Sequence, residues 1–397
     1  MKQCNKCLLP ETHETIEFNS AGACNICESQ DFRNSKIDWD LKKKELDELI
    51  GQYRGKYDYD CIVPFSGGKD STYALYYLVK EYGLKPLVVR FDHGFMRPNL
   101  EKNVKKIQRA LGIDMITFTP NWKTVQKLML QSFLDKGDFC WHCHTGIFSY
   151  PMWVALEKKI PLIFWGEPSS EYTAYFSYDQ PESVDEERFN RFVNLGINSE
   201  DMFFRLGGTI DQRDLKPYSY PPLSELKDLK YQSVCLGSYI KWDVAKQSET
   251  IMKELDWTGD EVENVPPKYS YEKIECYMQG VRDYIKYIKR GYSRTAHLSA
   301  LDLRGGKISQ SEAKEQIDHY DGKTPPSLEL FLDFIGLSEA EFYEIAERHM
   351  VEPWRNQVKK DNKGNKLKDF EQWERTGSMD EKISSSILRD WKDGNGF

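Results

Sequence analysis

Cys61-Ile62-Val63-Pro64-Phe65-Ser66-Gly67-Gly68-Lys69-Asp70-Ser71-Thr72 is the stretch on which the fold turns. Its first five residues are apolar and short, the pattern of a buried strand. Thr72 to Tyr82 has helical periodicity, and Gly83 ends it. Between the two lies a polar loop with paired glycines. Glycines let backbone N–H groups come close to an anion, and the start of a helix adds partial positive charge. Ser66, Lys69 and Ser71 supply further donors, so the loop reads as a phosphate cradle. It is not the Walker loop, which needs four residues between its first glycine and a Gly-Lys-Ser/Thr end. A plain turn capped by Ser66 is the simpler alternative.

The same alternation continues outward. Leu87–Phe91, Met115–Phe118 and Pro161–Trp165 read as strands. Helices are expected over Leu100–Leu111, Val125–Leu134 and Tyr150–Glu157, and before the loop over Trp39–Tyr53. Strands alternating with helices predict an α/β fold with a parallel sheet covered on both faces. From about Gln180 the pattern loosens. Asp179–Glu187 is an acidic loop, and helices return over Ser248–Leu255, Tyr271–Lys289, Ser309–Tyr320, Ser338–His349 and Met379–Trp391. We divide the chain into a segment 1–35, an α/β domain 36–245 and a mostly helical region 246–397.

Nine cysteines punctuate this frame. Cys4-x-x-Cys7 and Cys24-x-x-Cys27 can converge four thiolates on one tetrahedral ion. With no open position, that is a structural zinc site for a segment too short to have its own core. Cys140 and Cys143, with His142 and His144 beside them and Cys235 far downstream, form a second candidate set. Three thiolates and a vacant corner suit a four-iron cluster or a zinc; equally, Cys235 could be a small buried residue. Cys61 and Cys276 read as core thiols. Lys289, Arg290, Arg294 and Arg304 gather cations suited to phosphate or carboxylate, or simply line a solvated helix end.

The chain has 397 residues, 55 Lys+Arg against 63 Asp+Glu, and 13% aromatics. That composition builds a sizeable core and excludes wholesale disorder. The net charge of −8 disfavours a nucleic-acid partner, which needs a basic face. No apolar run approaches a membrane span, no secretory signal is recognisable, and the cysteines favour a reducing compartment, so a cytoplasmic location is expected.

The Ser66–Ser71 loop resembles that of the pyrophosphate-loop ATPases, which split ATP into AMP and pyrophosphate. That resemblance implies a sheet of the adenine-nucleotide alpha-hydrolase type. It implies Asp70 as a magnesium ligand, and Lys69, Asp70 and Ser71 as catalytic groups. ATP would contact Ser66, Gly67, Gly68, Asp70 and Ser71, with Asp92 and Gly166 at two further strand ends; each of the latter could be an ordinary turn. With the opening Cys4-Asn5-Lys6-Cys7, Gly22-Ala23-Cys24-Asn25-Ile26-Cys27, Phe139–His144 and the Lys289–Ser309 block, roughly residues 1–350 resemble the N-acetyl sugar amidotransferases of bacterial surface-polysaccharide and nonulosonic-acid pathways. The resemblance implies that an N-acetyl group on a nucleotide-linked sugar becomes an acetamidino group. Ammonia would come from a glutaminase and a cyclase-like partner, because this sequence carries no recognisable glutaminase elbow. It implies that Lys289, Arg290, Arg294 and Arg304 hold the sugar's anionic part. The Cys140/Cys143/Cys235 set departs from this family and is similar to that of tRNA thiolases. An iron–sulfur thiolase is therefore the rival enzyme, and a nucleotide-sensing subunit without turnover the rival binder.

Overall fold

The computed structural model describes residues 1–166, 185–186, 189–360 and 391. Five strands form one parallel sheet: β1 (Cys61–Pro64), β2 (Pro86–Phe91), β3 (Asp114–Phe118), β4 (Leu162–Trp165) and β5 (Gln232–Cys235). Their spatial order is β3-β2-β1-β4-β5. The chain winds outward from β1 through β2 to β3, then returns to place β4 on the other side of β1. The order reverses between β1 and β4, and ligands of open parallel sheets bind at the carboxyl ends beside such a reversal. The loop after β1 is the Ser66–Ser71 cradle.

Helices α1 (Asn25–Lys36) and α2 (Trp39–Tyr53) precede the sheet, and α3 (Lys69–Lys80), α4 (Pro98–Leu111), α5 (Trp122–Lys136) and α6 (Trp141–Lys158) lie within it. Leu46, Leu75, Leu78, Leu100, Val104 and Ile107 pack α2, α3 and α4 on one sheet face with Val63 and Val88. Ile251 and Leu255, on the helix Val244–Leu255, join that same core. Met152, Val154 and Ala155 of α6 cover the other face over Ile62, Val89 and Ile163. The central strands β1, β2 and β4 are buried on both sides, which is why β1, and β2 apart from Arg90, are apolar rather than alternating, whereas the edge strands β3 and β5 are partly exposed.

A third core joins α5 to the helices Gln279–Arg290, Ser327–Ile335 and Glu339–Arg348 through Phe133, Tyr284, Phe331, Phe334 and Phe342. The N-terminal cysteines pack separately against Tyr292, Ala296 and Ala300.

Several boundaries differ from the sequence reading. α3 starts at Lys69, so the second half of the cradle is already helix. α6 starts at Trp141, nine residues before the expected Tyr150, so the Cys140–His144 motif lies on its first turn. Its aromatic-rich, non-amphipathic start hides the helical period. Tyr271–Met278 is not helical; the helix begins at Gln279. β5 was not anticipated, because Gln232-Ser233-Val234-Cys235 is short and half polar. Glu167, the acidic loop 179–187 except Asp185 and Glu186, and the 379–391 helix except Trp391 lie outside the described residues. Among the described residues no helix is long and apolar enough to cross a membrane.

Candidate active site

The cradle is assembled by its own hydroxyls. The Ser66 and Ser71 Oγ atoms lie 3.1 Å apart, the Ser66 N–H donates to Ser71 Oγ at 3.3 Å, and the Gly68 N–H donates to Ser66 Oγ at 3.2 Å. Gly67 has φ +85°, a left-handed turn open to glycine. Trp257 Nε1–H fixes the turn from outside by donating to the Gly67 carbonyl at 3.0 Å. A Cβ on Gly166 would lie 3.0 Å from the Asp70 carbonyl oxygen, so the end of β4 abuts the start of α3. Asp92, at the end of β2, accepts the Gly94 N–H at 2.9 Å and the Thr119 hydroxyl at 3.2 Å. All of the expected nucleotide-side residues therefore sit at carboxyl ends of the sheet.

Lys69 behaves differently from the sequence reading. Its side chain is only 3% exposed and its ammonium is held between Asp70 at 2.7 Å and Glu272 at 2.8 Å. Burial alone would raise the Glu272 pKa. The ammonium of Lys69, then Lys273 and Arg294, outweigh it and hold the carboxyl below its ordinary value. Glu275 lies over the cradle as well. Its carboxylate is 3.5 Å from Ser66 Oγ, and a Cβ on Gly68 would fall 1.8 Å from its Oε1. Glu272 and Glu275 both come from the non-helical Tyr271–Met278 segment, and sequence reasoning missed them by treating that segment as helix.

Beside the cradle opens a cavity of about 290 Å³. Ser66 and Glu275 stand at one side, His93 and Phe95 at the end of β2, and Cys140, His142, Cys143 and His144 on the first turn of α6. Close packing positions that turn: a Cβ on Gly146 would come 2.2 Å from the Phe91 ring. Burial lowers the His142 pKa to about 3, with His93 adding to it, and also lowers His144 to about 3, helped by Arg282. Both rings are neutral. His142 Nδ1 is buried without a hydrogen-bond partner.

The three predicted donors of the second cysteine set are not brought together. Cys235 is fully buried at the end of β5 in the core under α6, beside Ile163 and Trp165. The third thiol lining the cavity is instead Cys276. A metal or iron–sulfur cluster on Cys140, Cys143 and Cys235 has no common site in this fold.

The N-terminal set does converge. The ligand atoms of Cys4, Cys7, Cys24 and Cys27 all lie within 4.8 Å of one another, and all four residues are buried. Cys4 and Cys27 Sγ are 3.9 Å apart, Cys7 and Cys24 Sγ 3.7 Å. Four thiols without a disulfide at such spacing fit a tetrahedral metal, zinc above all. The bridges Gln3–Pro10 and Phe18–Cys24 complete a small ribbon.

Of the basic block, Lys289, Arg290 and Arg294 line one cavity of about 130 Å³, next to Arg282, Asp138 and Glu14. Arg304 does not join it; it lies close enough to Cys7 and His297 to act on them electrostatically.

Comparison with known proteins gives two similarities. Residues 263–374 match the family model described as the LPS biosynthesis protein WbpG-like, C-terminal domain. That similarity supports a polysaccharide-biosynthesis family for this region, which carries Glu272, Glu275, Cys276 and the basic block. An uncharacterized protein of Methanocaldococcus jannaschii is 28% identical over 118 residues, covering 29% of this chain and 41% of that protein. The chain thus spans about two-fifths of that relative's length.

Proposed function

We propose that the protein is an AMP-forming amidotransferase of surface-polysaccharide biosynthesis. Its sheet is of the pyrophosphate-loop type, and it converts an N-acetyl group of a nucleotide-linked sugar into an acetamidino group. The observation that carries this reading is the Ser66–Ser71 loop at the carboxyl end of β1, at the sheet's reversal and bordering a cavity of about 290 Å³. The C-terminal similarity supplies the polysaccharide context.

The chemistry follows from the groups. An acetamide carbonyl is a poor electrophile. Its oxygen attacks the α-phosphorus of ATP, and the bond to pyrophosphate breaks. The Ser66 and Ser71 hydroxyls and the N-terminal amides of α3 receive the departing charge. Asp70 and Glu272, hard oxygen donors, are the residues that would hold magnesium, which would neutralise the pyrophosphate when bound. Ammonia then adds to the activated carbon, and AMP leaves with the former carbonyl oxygen. His142, held neutral by burial at the cavity, is placed to orient the incoming ammonia by a hydrogen bond, and the proton that ammonia loses leaves with AMP or to solvent. In this reading the ammonia comes from a glutaminase and a cyclase-like partner, in the cytoplasm.

The lining of Cys140, Cys143 and Cys276 favours one second reading, a sulfur transfer through the same activated carbonyl. Mass spectrometry separates the two. Protein, ATP, magnesium and nucleotide-linked N-acetyl sugars are incubated with ammonium in one arm and sulfide in the other. Replacement of O by NH, with AMP formed, is the expected result. Replacement of O by S makes the enzyme a thiolase. No product in either arm, with RNA bound, overturns the sugar reading.

A further inference from the structure

The 130 Å³ cavity beside Phe139 is walled by the helix Gln279–Arg290 and the start of the helix Arg294–Arg304. Arg282, Lys286, Lys289, Arg290 and Arg294 face it, against Glu14, Asp138 and Asp283. The three carboxylates are each committed. Glu14 pairs with Arg290 at 3.0 Å, Asp283 with Arg294 at 3.3 Å, and Asp138 with Arg282 at 3.6 Å. Two cations are left over. Lys289 Nζ donates only to the carbonyls of Lys136 and Gly137, at 2.8 and 3.1 Å. Lys286 forms no hydrogen bond or ion pair among the described residues; its ammonium rests 4.6 Å from the Tyr292 ring centre. Burial pushes both ammonium groups below the ordinary lysine pKa. Lys286 and Lys289 feel Glu14 and Asp138 only through space, and five cations face three carboxylates in this lining, an imbalance that is costly unless an anion completes it.

We propose that this cavity is a subsite for a phosphate-type dianion of the acceptor, with Lys286 and Lys289 as its two cations outside any direct ion pair. Its volume is well under the roughly 300 Å³ of a small ligand pocket, so it takes a charged group and not a whole molecule. The remainder of the ligand lies next door. Phe139 and Arg282 line both this cavity and the larger one beside Ser66. An acceptor with its anion on Lys286 and Lys289 extends past Arg282 toward Cys143 and the cradle. The excess of two charges selects a phosphate or diphosphate over a single carboxylate. The inference rests on the ATP-dependent reading only for the direction in which the ligand extends.

Calorimetry on the full chain tests it. The cradle is first filled with the non-hydrolysable α,β-methylene analogue of ATP, and inorganic pyrophosphate is then titrated in. One saturable site is expected. Lys286→Met should weaken it about tenfold, the loss of one charge-assisted contact. Lys286→Arg keeps the charge and should stay within about threefold of wild type, which answers the objection that the Met variant is misfolded. Sodium acetate, as the monoanion arm, should not saturate. Absence of a pyrophosphate site, equal affinity in folded Lys286→Met, or acetate binding as tightly as pyrophosphate would each overturn the proposal. If the ATP analogue fails to bind while pyrophosphate still binds in a Lys286-dependent way, the subsite stands and the ATP-dependent reading falls.

Discussion

At the scale of single residues, Lys69 and Glu272 make the sharpest claim. Each side chain is 3% exposed, and they are 2.8 Å apart. Lys69→Met would leave Asp70 and Glu272 buried without their cation, a loss of about 3–5 kcal/mol by urea unfolding at pH 7. The pH dependence has a definite sign. In the wild type, Glu272 is held below its unfolded value, so its contribution is present above about pH 4.3 and fades as pH falls through the lower folded value. In the variant only Lys273 and Arg294 oppose burial, so the charged carboxyl at neutral pH is stabilised less than in the wild type. The stability gap should therefore shrink below about pH 4; a gap of equal size at both pH values would refute the charge-pair account. The thiols offer a second test. Burial pushes Cys276 up to about 12, so at pH 7 it is protonated though it borders the cavity. Alkylation by iodoacetamide, read by peptide mass mapping, should rise about tenfold per pH unit between pH 7 and 10 at Cys276 and leave Cys235 untouched. The Cys4-x-x-Cys7 and Cys24-x-x-Cys27 spacing made the converging thiols readable, because ligand geometry is local. The third cavity thiol was not readable, because only the fold decides whether Cys235 or Cys276 reaches α6.

At the scale of elements, the strand-loop-helix around Ser66 was legible to within one residue for β1 and three for α3, since the apolar strand and the glycine-ended helix each carry a local signal. Tyr271–Met278 was not. It has helix-like spacing of apolar residues, yet tertiary contacts hold it open: Ile274 joins the sheet core, and the Tyr277 N–H donates to the Phe95 carbonyl at 2.9 Å. This segment delivers Glu272, Glu275 and Cys276 together. Its grip on the cradle is testable through Gly68. Ala fits the φ of −72° at that position, so any penalty comes from Glu275, not from backbone strain. Gly68→Ala should lower stability, and adding Glu275→Ala should recover it, giving a coupling of about 0.5–3 kcal/mol in a double-mutant cycle. Additive effects would mean the segment moves freely off the loop.

At the scale of the whole molecule, the N-terminal ribbon acts as a clamp on the basic helices. The Thr12 hydroxyl donates to the Arg290 carbonyl at 2.6 Å, and the Arg290 guanidinium donates back to the Thr12 carbonyl. His13 stacks on Tyr292 and His297 at 5.8 and 6.3 Å, and Glu14 accepts the Tyr292 hydroxyl at 2.9 Å. Four buried thiols hold that ribbon in shape. Cys24→Ser, or a strong zinc chelator, should lower the melting temperature by about 1 °C for each kcal/mol lost. It should also raise amide exchange at residues 286–294, far away in sequence. Unchanged exchange there would show that the ribbon folds as an independent appendage.

Thr12 and Arg290 are separated by 278 positions. At about 5–20 residues per second, a ribosome needs about 15–55 seconds to bridge that interval. During that time Cys4, Cys7, Cys24 and Cys27 are out of the tunnel while Tyr292, Ala296 and Ala300, which bury them, are not yet made. A metal captured early would carry the ribbon through this wait as a closed knot. Without one, four naked thiols and an uncovered apolar surface await their partner at the far end of translation, exposed to oxidation and to chaperones. With a metal at the four thiols, the long span between clamp and helix would make metal supply during synthesis a determinant of yield.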